Sequence, residues 1–238
     1  MLHWLYPRYC ELCFAPCEQD LCDACLRKLS RVPLPICLYC GASVAGDQGD
    51  PYRCRECQAR PRSFDFARSA LLSDATSLRL VYRLKYHHAN YLAPALSTLL
   101  CELWDDTPAF ADYAQASIVP VPAERGRLFR RGFNQAEELA RALGKLRHLP
   151  VISPLVRLQT GVDSQTLLNA AERRRNAQRA YSLSESWLRG RKSAPSHLVL
   201  IDDVFTTGST VRACAQALKK LPGVRHVAVL TLVRASRR

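Results

Sequence analysis

Asp202-Asp203, then Val204-Phe205, then Thr206-Thr207-Gly208-Ser209-Thr210, is the stretch whose residue types and order point most directly to chemistry. An apolar run, Val199-Leu200-Ile201, leads straight into the two acids. The loop behind them, rich in Thr, Gly and Ser, opens onto a helical pattern. Loop hydroxyls and the orphan N–H groups of a helix N-terminus suit a phosphate monoester, and the helix dipole favours its charge. Gly208 admits close backbone approach. Two adjacent carboxylates suit sugar hydroxyls, directly or through Mg2+. A ribose 5-phosphate satisfies both halves at once. A capping role for Ser209 or Thr210 leaves the double acid at the end of a buried strand without a reason.

The second constellation is sulfur. Cys10-x-x-Cys13, Cys22-x-x-Cys25, Cys37-x-x-Cys40 and Cys54-x-x-Cys57 follow in series, and nine of the 11 cysteines lie before residue 58. A Cys-x-x-Cys turn points two thiolates at one centre, and two such turns complete a tetrahedral zinc site. Eight residues separate the first two pairs and thirteen the last two. Sequential pairing therefore gives two short-loop, four-cysteine Zn2+ sites in tandem, although interleaved pairing is also open. Gly41, after Cys40, lets backbone amides face the sulfurs. About sixty residues with few large apolar side chains bury little core, and metal ligation supplies the missing folding energy. Disulfides would need an oxidising compartment. A thioredoxin-like pair would not recur four times, and the iron–sulfur spacing is absent. All four positions of each site are taken by protein, so both are structural. Cys17 is left over. Cys101 and Cys214 sit in apolar helical patterns and read as small core residues.

The third constellation is basic. Arg125, Arg127, Arg130 and Arg131 lie between a Val-Pro strand and the helix that starts near Asn134. Guanidinium forks suit a diphosphate. Arg157, Arg173, Arg174, Arg175 and Arg179 form a second group, which fits either a loop closing over a phosphorylated ligand or a nucleic-acid track. Residues 123–192 hold 15 Lys and Arg against 6 Asp and Glu. Few aromatics interleave with them (Phe129, Phe133, Tyr181, Trp187), so no stacking platform for bare bases is evident. His87-His88 reads as exposed rather than as a ligand pair.

These groups need elements to hold them. Phe66–Leu72 reads as a strand. Thr76–His87 and Tyr91–Trp104 read as amphipathic helices, the first with Leu78, Val81, Tyr82 and Lys85 along one side. Ser117–Pro122 is a short buried strand. Asn134–Leu146 is a helix, with Asn134 and Glu137 resembling a capping box. Val151–Ile152 begins another strand. Strand His197–Ile201, helix Ser209–Leu221 and strand His226–Val233 complete the pattern. Alternation of this kind implies a mostly parallel α/β sheet with helices on both faces, whose ligands sit at the carboxyl ends of the strands.

Composition agrees and excludes. The 238 residues are 48% hydrophobic and 23% charged, a globular balance with room for one α/β domain plus a small satellite. No run of 18 apolar residues suggests a membrane span, and no signal-like segment precedes the first cysteine pair, so membrane insertion is not expected and the cytoplasm is. The net charge is +13. Residues 1–65 carry 8 basic and 8 acidic side chains, and residues 66–238 carry 26 and 13. The excess thus lies wholly in the second part and favours anionic partners. Arg60-Pro61-Arg62-Ser63 reads as the junction. The expected units are a double zinc ribbon over 1–62 and a second domain over 63–238.

The stretch from Val199 to Thr210 resembles the phosphoribosyl pyrophosphate (PRPP) signature of type I phosphoribosyltransferases. Ile118-Val119-Pro120-Val121-Pro122, Arg130-Arg131-Gly132-Phe133-Asn134-Gln135, Leu84-Lys85-Tyr86, Gln165-x-x-Leu168 with Arg173-x-x-Asn176, and the cysteine pairs narrow the resemblance to the ComF/GntX family. It covers nearly the whole chain, with Cys17 an extra. What it implies is a type I phosphoribosyltransferase-like domain behind a double zinc ribbon. Asp202 and Asp203 would take the ribose hydroxyls, and Thr206, Thr207, Gly208, Ser209 and Thr210 the 5-phosphate. Arg125, Arg130 and Arg131 would face pyrophosphate with its Mg2+, and Arg157 with Arg173–Arg175 would form the hood. The process it implies is natural DNA uptake, with single-stranded DNA and a DNA-translocating helicase as partners. Two kinds of protein fit: one that acts on PRPP at its anomeric carbon, and a non-catalytic DNA-binding or PRPP-sensing factor. No residue that would activate an acceptor stands out.

Overall fold

Two short helices, α1 (Asp23–Arg27) and α2 (Arg55–Gln58), begin immediately after Cys22 and Cys54. They mark the same construction used twice. In the first copy the Cys22 N–H points to Cys10 Sγ at 3.4 Å, and in the second the Cys54 N–H points to Cys37 Sγ at 3.3 Å. The computed structural model describes residues 8–44, 52–86, 89–158, 180–190 and 195–236. Arg173, Arg174, Arg175 and Arg179, with His87 and His88, lie outside the described residues.

After the ribbons come β1 (Ala67–Leu72), α3 (Ala75–Lys85), a 3-10 turn, α4 (Ala93–Asp105) and a second 3-10 turn. Then follow β2 (Ser117–Pro120), α5 (Arg125–Arg131), α6 (Gln135–Arg147), β3 (Leu155–Arg157) and β4 (Tyr181–Leu183). The chain closes with α7 (Glu185–Gly190), β5 (His197–Phe205), α8 (Ser209–Leu218) and β6 (His226–Arg234). Four strands form one parallel sheet in the order β1-β6-β5-β2, and β3 pairs with β4 antiparallel.

Alternation along β5 builds two cores, because successive side chains leave opposite faces of a strand. Val199 and Ile201 join Leu80, Leu96, Leu100, Leu139 and Leu143 on one side. Leu198 and Leu200 join Val211, Cys214 and Leu218 on the other. The ribbons divide the same way. Cys10, Leu21 and Leu29 of the first ribbon sit in the core with α4 and α6, whereas Cys37, Tyr39 and Cys57 of the second sit in the core with α8. The ribbons thus straddle the sheet. Backbone bonds fix them there: Leu72 N–H donates to Ser30 O at 2.8 Å, and Ala67 N–H to Tyr39 O at 2.7 Å. Gly41, at φ +67, lies so close to β1 that a Cβ would sit 2.5 Å from the Ala67 carbonyl oxygen, so glycine is required at this contact.

Some local expectations are corrected. The buried side of α3 is Ser77, Leu80, Val81 and Leu84, while Leu78 and Tyr82 are exposed. The stripe is rotated because Leu80, Val81 and Leu84 pack into one core with Ala89 and Leu92 of the first 3-10 turn and with Leu230 and Leu232 of the sheet. Val151 makes only a single parallel bridge to Ile118 rather than a strand. The arginine segment is the helix α5, closed by Gly132 in the left-handed conformation at φ +79. Asn134 caps α6 by accepting from Ala136 N–H at 3.2 Å, and Glu137 turns instead to Arg141 at 2.6 Å. Cys214 is fully buried as expected, whereas Cys101 is half-buried, with Arg147 Nη1 3.6 Å from its sulfur.

Candidate functional site

The acids do not follow the strand; they belong to it. β5 runs four residues past Ile201, and Asp202 pairs in register with Thr231 and Phe205 with Arg234. Hydrogen bonding to β6 therefore fixes the backbone of both acids. Asp203 N–H also donates to Asp202 Oδ1 at 2.9 Å. Asp202 is half-buried. Burial pushes its carboxyl well above the usual carboxylate range, and the Asp203 charge beside it adds to the push.

Asp203 is held by a residue the sequence reading did not assign to the site. Lys85 Nζ, from the last turn of α3, lies 2.6 Å from Asp203 Oδ2. With 14% of the Asp203 side chain exposed and 27% of Lys85, the pair is largely shielded. The signal was present in Leu84-Lys85-Tyr86, but its meaning depends on which side of α3 faces the sheet.

Behind the acids, Gly208 begins α8 at φ +74 with no side-chain cap. A Cβ on Gly208 would meet Phe205 Cζ at 2.6 Å, so the loop folds down onto that ring. Thr207 Oγ1 donates to Ser209 Oγ at 3.2 Å and accepts from Ser209 N–H at 3.4 Å. Thr206, Thr207 and Ser209 are exposed and Thr210 is half-buried. Tyr181, from β4, lies on the α8 side of this turn with Cys214 close by; burial, with the nearby Cys214 sulfur, pushes its hydroxyl up to about 12. The loop can therefore present hydroxyls, a tyrosine hydroxyl and helix N–H groups to an anion, beside two carboxylates that accept from hydroxyls.

The arginines are not all brought together. Arg131 donates to Gln135 Oε1 at 3.1 Å and to Tyr86 Oη at 3.2 Å, with its guanidinium 4.8 Å from the Tyr86 ring centre. Arg157 lies over Tyr181 at 5.6 Å and 3.8 Å from Glu124 Oε2, which joins it to the Thr210 side. Arg125 and Arg130 are exposed on α5. Tyr82 and Tyr86, one turn apart, lie with ring centres 4.6 Å apart and are 55% and 43% exposed. With Arg131 they form an aromatic and cationic strip that linear spacing concealed. Elsewhere, a groove of about 1520 Å³ between the first ribbon and the α4–α6 pair, with Asp20, Tyr91 and Lys145 among its walls, is separate from the acids.

The eight paired cysteines form two groups, Cys10, Cys13, Cys22, Cys25 and Cys37, Cys40, Cys54, Cys57, with sulfurs within 4.8 Å of one another in each. Pairing is sequential, not interleaved. Cys13 and Cys22 sulfurs are 3.8 Å apart, as are those of Cys40 and Cys54. Two zinc–sulfur bonds of about 2.3 Å at the tetrahedral angle span about that distance. All 11 cysteines are free, so the donor set is thiol and fits zinc. A hydrogen bond from the Cys40 thiol, against the effect of burial and together with backbone N–H groups of Cys40, Cys54 and Tyr39, lowers Cys37 to about 4. The second group is wholly buried, whereas in the first Cys13 is exposed and Cys22 and Cys25 are half-buried. Cys17 stands outside both groups and donates to Gln19 O at 2.7 Å. No described helix is long and apolar enough to cross a membrane.

Comparison with known proteins extends these findings. A family described as double zinc ribbon domain matches residues 1–58. Competence protein F of Haemophilus influenzae is 30% identical over 223 residues, spanning 92% of each chain. DNA utilization protein YhgH of Escherichia coli is 32% identical over 218 residues, spanning 89% of this chain and 91% of its own. Competence protein ComFC of Bacillus subtilis is 24% identical over 229 residues, spanning 92% and 85%. Among solved structures, a hypoxanthine phosphoribosyltransferase from Staphylococcus aureus aligns over 61% of this chain and 64% of its own, at 13% identity and a TM-score of 0.31, a likeness too slight to carry an argument. The relatedness to competence protein F and to YhgH runs from the ribbons through the parallel sheet, and the chain belongs to their family, the ComF family.

Proposed function

We propose that this protein binds PRPP with its Mg2+ at the turn from β5 into α8 and serves in the uptake and use of DNA. The observation that carries the reading is α8, begun by the left-handed Gly208 with no side-chain cap of its own, directly behind two carboxylates at the end of a parallel strand. Thr206 to Thr210 would receive the 5-phosphate, and Asp202 and Asp203 the ribose hydroxyls. Magnesium would arrive on the diphosphate and neutralise part of its charge, since Lys85 already faces Asp203. Arg131 and Arg157 are the basic residues joined to this end of the sheet, with Arg125 and Arg130 further out on α5. A reaction there would form a bond from an acceptor to the anomeric carbon and break the bond to the pyrophosphate oxygen. The departing electron pair would leave on pyrophosphate, next to cationic side chains. The role in DNA use rests on the names of the relatives.

A second reading has its own observation. The exposed Tyr82–Tyr86 pair beside Arg131 suits stacking of single-stranded DNA, with the exposed arginines of α5 as phosphate contacts. A cytoplasmic setting and a helicase partner belong to either reading. DNA uptake in a competent host separates them. Under the first reading Asp202→Ala/Asp203→Ala abolishes uptake while the protein stays folded and DNA affinity is kept. If that variant supports normal uptake and Tyr82→Ala/Tyr86→Ala does not, the second reading replaces the first.

A further inference from the structure

Arg234, the last residue of β6, is 3% exposed. A buried guanidinium needs partners, and its partners lie on two different functional parts. On one side Nη1 donates to Cys40 O at 2.9 Å and Nη2 approaches Cys40 Sγ at 3.5 Å. On the other side its guanidinium stands 4.2 Å from the centre of the Phe205 ring. That ring is the floor against which Gly208 is folded, at a distance that no Cβ could share. One side chain thus touches a ligand of the second zinc group and the support of the loop ahead of α8.

A second connection runs parallel to it. Arg212, in the first turn of α8, donates to Pro61 O at 3.4 Å and stacks at 5.4 Å on both Tyr39 and Phe64. Tyr39 lies between Cys37 and Cys40 in the chain and is stacked on Phe64 at 4.5 Å, and Phe64 meets Phe205 edge-on at 6.4 Å. The second ribbon therefore forms part of the wall behind the loop. The first ribbon, on the opposite face of the sheet, has no such contact among the described residues.

We propose that Arg234 is a positioning residue for the loop over Thr206–Thr210, holding Phe205 beneath Gly208 from a seat on the second zinc ribbon. Affinity at the loop then depends on the Cys37, Cys40, Cys54, Cys57 site and not on the first. The proposal rests on reading that loop as a phosphate-ester site. A planar guanidinium both forks to Cys40 and lies over an aromatic ring, which an ammonium or a neutral side chain does not reproduce. By linkage the coupling is reciprocal: ligand at the loop tightens zinc in the second site by the same factor.

The test uses the full zinc-loaded chain. Arg234→Met is compared with the unsubstituted protein by zinc content, by hydrogen exchange of the 206–212 amides without ligand, and by calorimetric titration with PRPP and Mg2+. The expected result is two zinc ions retained, loop amides exchanging about tenfold faster, and PRPP bound about tenfold more weakly, a coupling of ordinary size. A zinc-replete Arg234→Met whose loop exchange and affinity match the unsubstituted protein overturns the proposal. If Arg234→Met loses zinc or does not fold, Phe205→Leu decides on the same readouts, since it removes the ring while leaving Arg234 and the ribbon. Failure of every chain to bind PRPP, with loop exchange still responding to Arg234, removes the ligand reading and leaves the coupling standing.

Discussion

Lys85 Nζ and Asp203 Oδ2 stand 2.6 Å apart, and this ion pair ties the end of α3 to the end of β5. It keeps one of two adjacent carboxylates compensated before any ligand arrives. Replacing Lys85 with Met leaves Asp203 with a second carboxylate as its neighbour and no cation. The expected cost is about 1–3 kcal/mol in unfolding free energy, between the exposed and the buried limits for ion pairs. Lys85→Met/Asp203→Asn should recover most of it. Denaturant unfolding of the two single variants and the double closes the cycle, and simple additivity would show that the pair is not coupled.

Asp202 carries a stability cost in the ligand-free fold. Its folded-state pKa is raised by burial and by Asp203, so the folded form prefers the proton. The consequence has a definite sign. Below about pH 4, where the unfolded carboxyl is also protonated, nothing is lost. As pH rises above that value the unfolded state gives up its proton first, and stability falls until the raised folded value is reached. Asp202→Asn removes this loss. Its apo form should melt a few degrees higher at pH 7.5, by about 2–4 °C for each kcal/mol recovered, and show little difference at pH 4. Melting curves at the two pH values test it.

Gly208 is constrained twice, by φ +74 and by the Phe205 ring. Gly208→Ala should cost about 1–3 kcal/mol through backbone strain and the ring contact together. Because the ring is in a packed core, the loop is expected to move and ligand binding to weaken more than stability does. Thermal unfolding and calorimetry on the same preparation measure both. An alanine variant with unchanged melting and unchanged affinity would mean that the loop adopts another conformation.

The two zinc sites should part company under chelation. The first has an exposed and two half-buried sulfurs, and the second has four buried ones. A chromogenic competing chelator should withdraw one zinc per chain quickly and the second only as the protein unfolds. Cys17→Ser should leave both phases and the total of two unchanged, since Cys17 bonds to Gln19 O outside either group. A single phase for both ions, or loss of one zinc in Cys17→Ser, contradicts the assignment.

What the sequence disclosed was local. Cys-x-x-Cys spacing names its own ligands, and a hydrophobic run into Asp-Asp and a Gly-containing loop is readable because all its parts are contiguous. What it concealed depended on which surfaces meet. Lys85 reads as one position on an amphipathic face of α3 because periodicity gives a face but not its neighbour. Tyr82 and Tyr86 lie more than forty residues from Arg131, so their strip exists only in the fold. The helical form of the arginine segment is hidden because seven residues between Glu124 and Gly132 are too few to show a period. The strand β5 outran its apolar run because pairing with β6 continues through Phe205 and Arg234, whatever the polarity of Asp202 and Asp203. For the same reason the division of the ribbons between the two faces of the sheet was not visible in their spacing.

The most direct test of the central claim is calorimetric titration of the zinc-loaded protein with PRPP and Mg2+, beside the Asp202→Ala/Asp203→Ala variant. The account predicts binding of one PRPP per chain in the micromolar range, lost in the variant while both proteins hold two zinc ions and melt cooperatively. Absence of heat from the folded, zinc-replete protein, or equal binding by the variant, would contradict it and move the Tyr82–Tyr86–Arg131 strip to first place.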